Sequence, residues 1–109
     1  MLELREHEKI VLDRLVSGTI APDLLEELKE NARMTDYYAA GYGYFLTIEH
    51  AALPAERIVC SEPMVVGENA GIETGFVVFI ENRSLTIECY SLGGEEVPRD
   101  YRDRHIVVS

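Results

Sequence analysis

The stretch "GFVVFIENRSLTIECYSLGG", Gly75 to Gly94, decides the fold of this chain. Its two arms flank Asn82 and Arg83, a short polar connection that fits a β-hairpin, although Asn-Arg is weaker turn chemistry than Asn-Gly. In the second arm Leu85, Ile87 and Cys89 point one way and Thr86, Glu88 and Tyr90 the other, the period of two that a half-buried strand shows. The first arm lacks that alternation. Phe76, Val78 and Ile80 face one side while Val77 and Phe79 face the other, which marks a central strand with apolar residues on both faces.

Upstream the period is helical. Leu4, Val11, Leu12, Leu15 and Val16 fall on one stripe at 100° per residue, predicting an amphipathic helix that ends near Gly18 with a left-handed cap. Pro22 suits a first helical position, and Asp23, Glu26 and Glu27 place negative charge at a helix N-terminus. Leu24, Leu25, Leu28 and Ala32 share a face, and Glu26–Lys29 and Glu30–Arg33 are spaced as i,i+3 pairs, so a second helix is expected over 22–34. After "MTDYYAAGYG", read as a tyrosine-rich loop, Tyr44, Leu46 and Ile48 alternate with Phe45, Thr47 and Glu49 as a strand. "RIVC" and "HIVVS" are further strands, Pro63 belongs at a sheet edge, and the glycine-rich "VVGENAGIETG" reads as a loop. Helices first and strands afterwards predict an α+β domain: an N-terminal helical hairpin on a mostly antiparallel sheet of four or five strands.

The 109 residues suit one domain, 1–109. With 47% hydrophobic residues the chain is apolar enough to fold, although 20 Asp and Glu face 10 Lys and Arg, a net charge of −10. That charge repels nucleic acid at long range and attracts a basic protein. Cys60 and Cys89 sit singly in alternating segments, as buried thiols in a reducing cytoplasm do. "MLELREHEKIVLDRL" has no uninterrupted apolar core of a signal peptide and no run is long enough to span a bilayer, so the expected address is the cytoplasm, with no membrane partner.

If the helices cover Phe76, Val78, Ile80, Leu85, Ile87 and Cys89, then Val77, Phe79, Phe45 and Tyr90 lie on the other side of the sheet. Several exposed groups of that size form a sticky patch, so a shield is expected: residues 50–72, a second copy in a homodimer through the sheet, or another protein. Tyr37, Tyr38 and Tyr42, in the loop 36–44, either close a corner of the core or act as recognition anchors. Glu95, Glu96 and Asp100 form an acidic run that is either a solvated surface or a steering patch for a cationic partner. The competing class is a small-ligand binder or minor enzyme with Tyr44, His50, Cys60 and Tyr90 converging on a pocket. No nucleophile elbow, phosphate cradle or metal spacing is present, and neither a catalytic set nor a cofactor is expected.

Residues 41 to 98 also carry "GYGYF", "TGFVVFI" and "LTIECYSLGGEEVP". These resemble the GxGFF, GFVxF and LExYxxGxExxP-like motifs of small uncharacterised bacterial proteins of immunity or accessory type. The pattern departs at Val97, where an aromatic would precede Pro98, and at Cys89, where a glycine is usual. The resemblance implies an accessory or immunity-type protein that binds another protein. The net charge of −10, the aromatic loop 36–44, the doubly apolar strand and the lack of a catalytic set make the expectation a non-enzymatic, acidic protein-binding domain that masks a basic target as an immunity protein or antitoxin does.

Overall fold

A computed structural model describes residues 3–109. Two helices, α1 (Glu6–Val16) and α2 (Pro22–Asn31), precede six strands, β1 (Arg33–Ala40), β2 (Gly43–Glu49), β3 (Ile58–Asn69), β4 (Ile72–Glu81), β5 (Ser84–Ser91) and β6 (Val107–Val108). The strands form one antiparallel sheet in the order β1-β2-β5-β4-β3-β6. The helix-on-sheet α+β architecture is therefore as the patterning requires, with six strands instead of four or five.

The stripe Leu4, Val11, Leu12, Leu15 and Val16 is wholly buried. It packs, with Leu25 and Leu28 of α2, on the face of the sheet that carries Leu46, Ile48, Val78, Ile80, Leu85 and Ile87, each at most 1% exposed. Burying a side chain of this size contributes about 1.5–3 kcal/mol, so this layer is the main source of stability. Pro22 opens α2, as expected. In contrast, α1 stops at Val16 with Ser17 still right-handed (φ −61°, ψ −26°), so the left-handed cap expected at Gly18 does not form.

Two segments read as loops are strands. The tyrosine-rich stretch belongs to β1, which begins at Arg33 and shortens α2 to Asn31; pairing of Met34 with Ile48 and of Tyr37 with Leu46 outweighs the helical preference of residues 32–34. The "VVGENAGIETG" stretch is the β3–β4 hairpin, in which Asn69 pairs with Ile72 around a two-residue turn. Its glycines serve separate purposes. Gly71 takes φ 82° in the turn, whereas Gly75 lies under the Tyr90 ring, where a Cβ would come within 2.5 Å of it. Pro63, expected at a sheet edge, falls instead in β3, which lies between β4 and β6, and sits in the irregular stretch between Cys60 and Val65 where the ladder to β4 shifts register. Cys60 and Cys89 are free and buried, and burial pushes the Cys89 thiol up to about 12.

Both two-residue turns around β4 have positive φ at their two central residues, as type I′ hairpins require: Ala70 (54°) with Gly71 (82°), and Asn82 (52°) with Arg83 (62°). Alanine is strained there because its Cβ crowds the following carbonyl. Ala70→Gly is expected to raise stability by about 0.5–1 kcal/mol, read as a rise of a few degrees in Tm in thermal unfolding. A fall in Tm would mean that chain entropy outweighs the relieved strain. Arg83 has a compensation that Ala70 lacks. Its Nη1 donates to the carbonyls of Ala51 and Leu53 at 3.2 and 2.8 Å, and Asn82 and Arg83 backbone N–H groups donate to Ala55 and Pro54, tying residues 51–55 to the hairpin end.

Candidate functional site

Polar chemistry concentrates in two places, one sealed and one exposed. The sealed one lies where α1 meets the C-terminal 3₁₀ turn Tyr101–Asp103. Glu8 is 0% exposed and its carboxylate accepts four hydrogen bonds: from Arg5 N (2.7 Å) and Arg102 Nη2 (3.0 Å) on Oε1, and from Tyr44 Oη (2.7 Å) and Arg102 Nε (2.7 Å) on Oε2. Arg102 also donates from Nη2 to the Glu3 carbonyl at 2.6 Å, and its guanidinium lies 5.6 Å from the Tyr37 ring centroid. Because the single proton of Tyr44 goes to Glu8, its oxygen accepts the 2.8 Å bond from His7 Nε2–H, which fixes the neutral tautomer of His7.

Desolvation by burial pushes His7 down to about 4, while the nearby Glu8 carboxylate opposes that shift and Arg102 and Arg5 add to it. Burial likewise drives Tyr44 well above its ordinary value. A Glu–Arg–Tyr–His set resembles catalytic machinery in composition. Its geometry is that of a clasp: each of the four is at most 4% exposed, and every lone pair that a substrate would need on Glu8 is already taken.

The exposed place is the face of the sheet opposite the helices. Cross-strand register puts Tyr38, Phe45, Glu88 and Val77 in one row, and Asp36, Thr47, Thr86, Phe79 and Val59 in the next. A third row, Gly43, Tyr90, Gly75 and Val66, lies on the other side of the first. Phe45 is 37%, Val59 49% and Tyr38 63% exposed, and Val77, Phe79 and Tyr90 are half-buried. No described element packs on them. Residues 50–72, one of the expected shields, instead contribute a loop at the sheet's end, from which Arg57 reaches onto the Phe79 ring, and β3 itself, so they form no layer over the face. Acidic groups surround the rings: among the described residues of the strands and the 50–57 loop, Asp36, Glu49, Glu68, Glu73, Glu81 and Glu88 share this face with the cations Arg33 and Arg57.

The sequence-derived contact residues divide between the two faces. Tyr38 belongs to the exposed face. Tyr37 points to the helix side, over Arg102, and is half-buried. Tyr42 is 61% exposed in the β1–β2 turn, and Glu95 and Glu96 are exposed at the same end, where Val97 N bonds to the Gly41 carbonyl at 2.9 Å. Asp100 is held by Arg104 at 3.1 Å.

Tyr44, His50, Cys60 and Tyr90 do not come together. Tyr44 and Cys60 face the helices from β2 and β3, with β5 and β4 between them, whereas Tyr90 is on the opposite face over Gly75. His50 caps its own turn, accepting from Ala52 N at 3.0 Å. Alternation explains the failure, because neighbouring residues of one strand, Cys89 and Tyr90, belong to opposite faces.

Among the described residues no helix is long and apolar enough to cross a membrane. No protein-family model, curated protein or solved structure matches this chain.

Proposed function

We propose that this chain is an acidic, non-enzymatic protein-binding domain that presents the helix-free face of its sheet to a basic protein, as a cytoplasmic immunity- or antitoxin-type protein masks its target. The observation that carries the reading is the composition of that face. Tyr38, Phe45, Val59, Val77, Phe79 and Tyr90 form an apolar centre of the kind that marks an interaction site, and carboxylates dominate around it. Aromatic anchors supply affinity after water is expelled, while acidic groups accelerate encounter with a cationic surface and repel acidic competitors. A second copy is the poorer occupant. It would bring a further charge of −10 against the first, and like charges brought together across an interface cost several kcal/mol.

Phe45→Lys with Val77→Lys leaves the helix-side core untouched and converts the centre of the face from apolar to cationic. Tagged wild-type chain, mixed with lysate of its source cells at about 50 mM salt, where charge screening extends beyond roughly 10 Å, is expected to retain a basic protein. Retention should fall at least about tenfold for the double variant. Equal retention by both chains, or no retained basic protein, overturns the reading. Light scattering at micromolar concentration separates the remaining case: a wild-type dimer that the double variant turns into monomer assigns the face to self-association instead.

A further inference from the structure

Glu88 stands at the centre of the exposed face, paired across the strands with Phe45 of β2 and Val77 of β4. It is half-buried in the free chain, and among the described residues it has neither a hydrogen-bond nor an ion-pair partner. A partner that covers the apolar centre must cover this carboxylate too. Burying it unpaired is strongly unfavourable, so the partner has to supply a cation at that point.

The same face shows which cation fits. On β4, Phe79 and Glu81 form a ring-and-carboxylate pair, and the chain's own Arg57 occupies it, with its guanidinium 5.7 Å from the Phe79 centroid and Nη1 3.5 Å from Glu81 Oε2. Phe45 and Glu88 form a second such pair across β2 and β5. There the Phe45 ring is extended by Tyr38, whose centroid lies 6.5 Å away at a 31° tilt.

From this repetition we infer that the basic partner places an arginine against Glu88, with its guanidinium plane on the Phe45–Tyr38 rings, and that Glu88 is the specificity-determining residue of the interface. Arginine fits better than lysine for a physical reason. Its planar, weakly hydrated fork donates to both carboxylate oxygens while stacking on a ring, whereas an ammonium is a strongly hydrated point charge that loses more on leaving water.

This inference rests on the protein-binding reading, and its test is arranged to fail separately. Fluorescein-labelled nonapeptides alternating threonine with arginine, lysine or citrulline are titrated with the full-length chain and read by anisotropy. The arginine peptide is expected to bind about tenfold more tightly than the lysine peptide, and citrulline to abolish binding. Glu88→Gln should weaken the arginine peptide about tenfold and erase the preference over lysine, while Glu30→Gln, which removes an exposed charge on α2, changes it by less than about twofold. Equal loss from both substitutions, equal affinity for arginine and lysine, or no binding at millimolar protein overturns the inference. If the double lysine variant loses the captured basic protein but Glu88→Gln retains it, the arginine inference fails and the protein-binding reading stands. If neither variant changes capture, both fail.

Discussion

Arg102→Met is expected to destabilise the fold by about 3–5 kcal/mol, which is the cost of leaving a buried carboxylate without its cation. Glu8 is 0% exposed, and two of its four hydrogen bonds come from Arg102; the substitution leaves only Arg5 N and Tyr44 Oη to hold a full negative charge in a desolvated site. A domain of this size has roughly 5–15 kcal/mol of stability in total, so a large share disappears and the urea midpoint should fall steeply. The damage extends beyond one residue. Arg102 joins the C-terminal segment to α1 across 94 positions of sequence through Glu8, and to the Glu3 carbonyl, so the segment carrying Tyr101 loses its anchor. Glu8→Gln in the Arg102→Met background should recover much of the loss, because the buried charge has gone, while the single amide oxygen keeps one of the two donors, Arg5 N and Tyr44 Oη, that bond to separate oxygens of Glu8. That non-additivity is the signature of a coupled pair. A single-variant cost below about 1 kcal/mol would mean that Glu8 reaches water and that the clasp is not sealed.

How far the sequence announces this arrangement differs between its two sites. The exposed face was legible: alternation in the hairpin at residues 75–94 places Val77, Phe79 and Tyr90 opposite Val78, Ile80 and Cys89, and the registers agree. What covers that face was not legible, since the shield expected from residues 50–72 turned out to be strand. Glycine explains part of the error. Gly67 faces the Ile106 and Phe76 side chains and Gly75 faces Tyr90, so both are close-approach positions within strands, and composition alone cannot separate such a glycine from one in a turn. The clasp had only a faint signal. His7 and Glu8 stand four residues before Val11 and Leu12, on the same buried stripe, and a charged residue on an apolar stripe asks for a partner. Nothing in the local pattern points to Arg102, because helix and turn meet only after the sheet has formed between them.

The second large effect is a pH dependence set by His7. In the unfolded chain its imidazole titrates near 6.5, but in the fold burial holds it at about 4, with the neutral ring donating to Tyr44 Oη. The groups around it are Glu8, Arg102 and Arg5, together with the Tyr44 hydroxyl and the Phe76 ring. Between these two values the unfolded state binds a proton that the folded state does not, so stability rises with pH across the window. The contribution is therefore fully present above pH 6.5 and is lost as the pH falls through the folded value, with no further loss from this group below about 4. A shift of this size corresponds to about 3 kcal/mol. Urea unfolding at pH 7.0 and 4.5 should reveal most of it as a lower midpoint. His7→Phe removes the titrating group while keeping a ring against Phe76, at the cost of one donor to Tyr44. Its stability should be slightly lower than wild type at pH 7 and should fall by about 2–3 kcal/mol less between the two pH values. Equal slopes for the two chains would place His7 in contact with water and remove the desolvation on which the expectation depends.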